Sequence, residues 1–226
     1  MSMYGMLKLI NIEKGKPFDT SEEWTSIYID GAQCAFEYLQ ERFFTPGVLL
    51  APFYGDDNQW QVFNLPQDQA AKGFPFEEGG IPLVDLRAQN YFFVTYLPEV
   101  LGGSSFYLTG LRDADGVVLN GTDTYLLNVP ADTPAADFWS VIAYSATSKG
   151  FIRDAERVGI SSRELDTLQV NEDGSVDVYL GPEAPEGLAS NWIPTGEDWF
   201  TLFRFYGPEE ALFDKSFVLP NIEKVK

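Results

Sequence analysis

The sequence predicts a mainly β protein, an antiparallel jelly-roll-like β-sandwich with an N-terminal helical segment. Three observations lead there. Apolar residues recur at three- and four-residue steps over positions 21–41, the period of a helix. From Ser105 onward the period falls to two, in short runs separated by turn signals at about ten-residue spacing, as in sandwiches and barrels. Between these regions, residues 46–80 are broken by Pro46, Pro52, Pro66 and Pro75 and by Gly55, Gly73, Gly79 and Gly80, which reads as loop. The division expected is a helical and irregular leader over 1–104, packing on a sandwich domain over 105–226.

The helix begins at Thr20-Ser21-Glu22-Glu23, which fits a capping box with Thr20 as N-cap and Glu23 reaching back. Trp24, Ile27, Tyr28, Gly31, Ala35, Tyr38 and Leu39 then share one face, and Thr45-Pro46-Gly47 stops the element. Aromatic residues of the irregular stretch (Phe53, Tyr54, Trp60, Phe63, Phe74 and Phe76) are its anchors to the body. Residues 83–97 carry mixed signals. Leu83 to Ala88 favours helix and Tyr91 to Tyr96 favours strand, and the reading adopted is helix.

In the β-rich part, Phe106–Arg112 and Val117–Leu119 flank Asp113-Ala114-Asp115-Gly116, a hairpin turn whose glycine can take positive φ. Thr124–Val129 is stopped by Pro130. Phe138–Ser145, rich in aromatic and β-branched residues, predicts a buried strand. Ser161–Leu165 reads as a short helix or turn. Leu168–Val170 and Ser175–Leu180 flank a second hairpin turn, Asn171-Glu172-Asp173-Gly174. Trp199–Tyr206 is the last long strand, and Pro208 opens a terminal helical turn.

Composition narrows the chemistry. With 34 acidic and 15 basic residues the net charge is −19, and there is no basic run, so nucleic acid and anionic membranes are excluded as partners. Between Glu164 and Glu210 eleven carboxylates face one cation, Arg204. No apolar run approaches the roughly 18 residues that span a bilayer. Met1 to Ile10 lack the basic start and cleavage site of a signal peptide, which leaves cytoplasm and periplasm both open. Histidine is absent and Cys34 is the one cysteine, which rules out Ser–His–Asp and Cys–His catalysis within the chain. Histidine- or thiolate-built sites for zinc, iron or copper are ruled out on the same ground. No cofactor and no metal are therefore expected. Chemistry is left to carboxylates, Tyr, Lys, Arg, Ser and Thr.

The second half also carries a set of ordered blocks. They begin with Asp115-Gly116, Leu119 and Gly121, then Tyr125-Leu126-Leu127-Asn128-Val129-Pro130 and Asp137-Phe138-Trp139-Ser140-Val141 with Tyr144. Ser162-Arg163, Asn171 to Tyr179, Gly181-Pro182, Ser190-Asn191-Trp192-Ile193 and Arg204-Phe205-Tyr206-Gly207-Pro208-Glu209 continue the series. In this order they resemble the Domain-of-Unknown-Function 1214 family. Ile12-Glu13-Lys14-Gly15-Lys16-Pro17-Phe18 is similar to the segment that precedes this domain in longer members. The resemblance implies a jelly-roll-like β-sandwich, in longer proteins often preceded by a sister domain of unknown function. It brings no agreed reaction, and its architecture looks like that of double-jelly-roll capsid proteins, a fold that serves assembly as well as chemistry.

Two groups of residues stand out as a ligand site. Asn191, Trp192 and Thr195 lie in Asn191-Trp192-Ile193-Pro194-Thr195, where Trp192 could stack a ligand between two hydrogen-bonding neighbours. Their structural reading is a corner, with Asn191 capping a turn and Trp192 closing the sandwich end. Arg204 and Tyr206 point to one side of a strand at period two, and Arg204 could take a carboxylate bidentately. Its structural reading is the partner of an internal acid. Because Trp192 and Arg204 are separated by one turn and part of a strand, one site including both is the expectation. Asp113, Asp115 and Asp123, and Asn171, Asp173, Ser175 and Asp177, offer alternating oxygens. The glycine of the second run falls at its fourth position, not the sixth of a calcium loop, and hairpin chemistry accounts for both runs.

The function these residues favour is a binding or accessory module for a small molecule or a protein. The alternatives are a histidine-independent hydrolase-like enzyme using carboxylate, Tyr and Arg, and a capsid-like assembly protein. A small-molecule ligand and homo-oligomerisation are the partners left open.

Overall fold

A computed structural model describes residues 3–64, 72, 75–93 and 104–225. The chain divides into two compact units, Met1–Leu49 with Asn64–Leu97 and Leu50–Phe63 with Pro98–Lys226. It is mainly β, with antiparallel sheets and an N-terminal helix, and the sheets do not close into a barrel.

The first unit is helical. Its described helices are Met3–Leu9, Glu22–Phe44 and Val84–Phe93. The long helix starts one residue later than the capping-box reading. Ser21 is the N-cap, its hydroxyl accepting from the Trp24 amide, and the Ser21 amide donates to Asp19 at 2.9 Å. Asp19 thus takes the role assigned to Glu23, and Thr20 is left out of the cap. At the far end the helix runs on to Phe44, where the Thr45 amide and hydroxyl both donate to the Glu41 carbonyl. The apolar face expected along it is only partly covered, since Ile27 is 45% and Tyr38 38% exposed, while Phe43 is buried. Phe36 meets Phe92 edge-on at 6.0 Å, joining the long helix to Val84–Phe93. A two-residue hairpin turn at Gly79-Gly80, both at positive φ, links Glu77–Glu78 to Ile81–Pro82, as such turns require. Val94 to Tyr96, Pro66, Gly73 and Phe74 lie outside the described residues.

The second unit is a pair of sheets. In chain order, omitting the hairpin above, its strands are β1 Leu50–Pro52, β2 Trp60–Phe63, β3 Ser105–Gly110, β4 Tyr125–Val129, β5 Ala135–Ser145, β6 Gly159–Ser161, β7 Val176–Gly181, β8 Trp192–Pro194, β9 Trp199–Pro208 and β10 Glu223–Lys224. One sheet has the order β1-β2-β3-β9-β5-β6 and the other β8-β7-β4-β10. All pairings are antiparallel except β8 with β7. Leu108, Val141, Phe203 and Phe205 of the first sheet and Leu127, Val178, Leu180 and Ile193 of the second belong to one buried core. Burial of such side chains is worth roughly 1.5–3 kcal/mol each, which is what holds two sheets face to face.

Two corrections concern strands. Residues 46–80, read as irregular, contain β1 and β2. Trp60 pairs with Gly110, and its indole donates to the Pro220 carbonyl at 2.8 Å, while the Gln59 amide donates to Asn221. These partners lie far away in sequence, and strands this short show no alternation. Leu168–Val170, read as a strand, has no ladder. The Asn191 side chain stands in for one, accepting from the Gln169 amide and donating to the Gln169 carbonyl, both at 2.8 Å. Both expected turns form, but Val117–Leu119, read as a strand, makes only an isolated bridge from Val118 to Arg112, and the second turn has no ladder on its Leu168–Val170 side. The Asp113 carboxylate accepts from the Asp115 and Val117 amides, Asp173 accepts from the Ser175 amide, and Gly116 and Gly174 take positive φ. The short helix expected at Ser161–Leu165 is a 3-10 turn over Ser162–Glu164 closed by a true capping box from Ser161 to Glu164.

Candidate functional site

The residues singled out in the sequence go to opposite faces of the sandwich. Trp192 alternates with Ile193, which is fully buried in the shared core, so Trp192 faces outward from the four-stranded sheet. Arg204 lies between Phe203 and Phe205, both fully buried in the same core, so Arg204 faces outward from the six-stranded sheet. The two sheets lie between them, and no single pocket holds both.

On the Trp192 side the polar groups are paired, with the Thr195 hydroxyl as the exception. Asn191 is 1% exposed, and its oxygen accepts from the Gln169 amide and the Ser190 hydroxyl. Its nitrogen donates to the carbonyls of Gln169 and Asp177. The Trp192 indole donates to the Gly181 carbonyl at 3.1 Å, which pins the ring. The Thr195 amide donates to the same carbonyl, and its hydroxyl is buried without a partner. This is the corner of the structural reading.

On the other face the register assembles a different group. Arg204 pairs across the ladder with Tyr107 of β3 and with Ser140 of β5, and Ser140 pairs with Ser161 of β6. One step along, Tyr206 stacks on Phe138 at 4.1 Å and 12°. Arg204 donates from Nη2 to the Tyr144 hydroxyl and from Nη1 to the Tyr206 hydroxyl at 3.5 Å. Its guanidinium carbon lies 5.1 Å from the Tyr107 ring centre and 5.6 Å from that of Tyr144, within cation–π range. The Tyr144 ring is stacked between Phe151 and Phe200, each at 5.4 Å.

The electrostatics of this group are one-sided. Among the described residues Arg204 makes no ion pair, and its Nε is buried without an acceptor. Burial pushes the Tyr144 phenol above its ordinary value, against the opposing pull of Arg204, so it stays protonated at neutral pH. A phenol oxygen that accepts from Arg204 still has its own proton to give. Ser140 is 7% exposed, and its hydroxyl makes no hydrogen bond among the described residues. The cluster thus holds one positive charge among hydroxyls, with no carboxylate paired to it among the described residues, and an anion would complement it.

Beside it runs an open groove of about 180 Å³, lined by Ser140, Ile142, Val158, Gly159, Ile160, Ser161 and Glu164. Gly159 is obligatory there, because a Cβ would stand 2.4 Å from the Val141 carbonyl oxygen. The carboxylate of Glu164 is engaged on both oxygens, accepting from Arg157 Nη2 at 2.7 Å and from the Ser161 amide at 2.8 Å.

Of the residues predicted, Arg204 and Tyr206 fall in this cluster, and Asn191, Trp192 and Thr195 do not. Tyr107, Tyr144 and Ser140 were missed. Their outward parity is legible on each strand alone, but it is the register between β3, β9 and β5 that brings them to Arg204.

Residues 104–210 match the sequence model of a family described as "Protein of unknown function (DUF1214)". No curated protein matches the sequence. Among solved structures, the VPA0106 protein from Vibrio parahaemolyticus is similar at 21% identity, with a TM-score of 0.49 over 97% of this chain and 49% of that one. An uncharacterised protein from Burkholderia cenocepacia is similar at 19% identity, with a TM-score of 0.41 over 57% of this chain and 32% of that one. The chain spans about half the length of the Vibrio protein. Among the described residues, no helix is long and apolar enough to cross a membrane.

Proposed function

With residues 104–210 identified as a DUF1214 domain, we propose that it is a binding module for a small anionic molecule, seated around Arg204 on the outer face of the six-stranded sheet. The observation that carries this reading is the unmatched guanidinium. In a chain with 34 acidic residues, Arg204 ends among the rings and hydroxyls of Tyr107, Tyr144 and Tyr206 and beside no acid among the described residues. A carboxylate placed there would meet charge-assisted donors, which are about twice as strong as neutral ones. The groove of about 180 Å³ is below the usual 300–1,000 Å³ of drug-sized ligands and suits a small metabolite.

The hydrolase-like alternative needs a carboxylate free to move a proton. Glu164, the acid lining the groove, is held by Arg157 and by the Ser161 amide, which favours binding over catalysis. The test is a pair of isosteres. Hexanoate should raise the melting temperature of the full chain in proportion to the logarithm of its concentration, and hexanamide should not. Equal effects from the two, or no effect from hexanoate, would overturn the reading.

A further inference from the structure

We propose that the ligand carries two anionic groups, the second held by Arg163; this rests on the reading of Arg204 above. β6 pairs with β5 through Ser161 and Ser140. One same-face step further, position 163 falls opposite Phe138, although the chain has by then turned out of the strand. The Arg163 guanidinium carbon does lie over the Phe138 ring, 3.8 Å from its centre. Phe138 in turn stacks on Tyr206, whose hydroxyl accepts from Arg204. A continuous row of rings therefore links the two cations, Arg163 at one end and Arg204 behind Tyr206 at the other.

Both arginines are unmatched. Among the described residues Arg163 makes no ion pair, and neither does Arg204. The contrast is with Arg157, which lies close by in sequence and is bound to Glu164 and to the carbonyls of Gly159 and Ser190. Two guanidiniums on one face of a chain of charge −19, each held by rings and not by acids, make a local positive field open to anions. β9, which bears Arg204, and β6, which leads into the turn that bears Arg163, flank β5 and lie two strand spacings apart, roughly 10 Å at about 4.8 Å per spacing. On β5, Ser140 pairs with Arg204 and Phe138, one same-face step along, carries Arg163 over its ring. The arrangement suits a short flexible dicarboxylate that bridges the two arginines along the edge of Phe138 and Tyr206.

The experiment compares hexanoate with adipate, equal in carbon number and different in charge, by calorimetric titration at low salt into the full chain and its Arg163→Ala and Arg204→Met variants. Adipate is expected to bind about tenfold tighter than hexanoate, as one added charge-assisted contact would give. Arg163→Ala should bring adipate down to the hexanoate level and leave hexanoate unchanged. Adipate binding no tighter than hexanoate, with hexanoate still dependent on Arg204, would overturn the second anchor and leave the first in place. Equal weakening of both acids by Arg163→Ala would also overturn it. No binding of either acid would overturn both readings.

Discussion

The two outer faces of the sandwich are built from similar residue types and differ in how fully their polar groups are paired, the Thr195 hydroxyl being the one left over beside Trp192. On the four-stranded sheet the amide of Asn191 makes four hydrogen bonds, and Asn128 donates to Ser175 and to Asp177 at 2.7 Å. Trp192 is pinned to a backbone carbonyl. On the six-stranded sheet Arg204 has a buried Nε without an acceptor, and Ser140 has an unused hydroxyl. Polar groups that satisfy one another hold a fold together, while polar groups left over on a rigid sheet are where a ligand finds purchase. The presence of Trp, Asn and Arg in a loop or strand does not separate the two cases. The bonds they make do.

The comparison can be broken first on the four-stranded sheet. Asn191→Ala leaves the Gln169 amide and the Gln169 and Asp177 carbonyls without their partner at a half-buried corner. The expected loss is about 2–4 kcal/mol, at roughly 1 kcal/mol for each half-buried group left without its partner. Urea unfolding followed by tryptophan fluorescence measures it, and a loss under about 1 kcal/mol would mean that this corner is no structural keystone.

Gly159→Ala acts on the other sheet. Its new Cβ would crowd the Val141 carbonyl and Ile142, so β6 must shift from β5, with an expected cost of about 1–3 kcal/mol. Because Gly159 lines the groove beside Arg204, hexanoate binding should weaken as well. Unchanged binding in a destabilised variant would separate the groove from the Arg204 cluster.

A smaller effect sharpens the view of the turn that follows β5. Burial pushes the Lys149 ammonium down to about 8 from 10.5, with the charge of Asp198 opposing. The unfolded chain keeps that proton up to about pH 10.5 and the folded chain releases it above about 8. Between these values the unfolded state binds more protons, and stability rises with pH. Below pH 8 both states hold the proton, and the folded state bears the cost of burying the charge. The wild-type minus Lys149→Met difference in urea midpoints should therefore climb from pH 8 to 10.5 and be flat from pH 6 to 7. A flat difference throughout would show that Lys149 titrates at its ordinary value.

Much of this fold is legible in the sequence because it rests on local signals. The change of period near Ser105, the glycines Gly116 and Gly174 in their turns and the cap at Ser161 each act within a few residues. What is not legible depends on distant partners. β2 exists because Trp60 finds Gly110 and Pro220, and Leu168–Val170 fails as a strand because Asn191 supplies its hydrogen bonds instead. The site divides in the same way. Arg204 and Tyr206 share a face by period two alone, but joining Trp192 to them required knowing which sheet β8 enters. Sequence distance suggested that the two were neighbours, and topology sent them to opposite faces.

The most direct measurement takes stability and binding from one variant, Arg204→Met. If Arg204 is held in readiness for a ligand, no ion pair is lost, and the urea-derived stability should change by no more than about 2 kcal/mol, the scale of its ring and hydroxyl contacts. Calorimetric affinity for hexanoate in the same variant should fall by at least about tenfold, the equivalent of one charged contact at about 1.4 kcal/mol. A loss of about 3–5 kcal/mol, as for a buried charge deprived of its partner, with hexanoate affinity unchanged, would contradict the account and make Arg204 a structural residue.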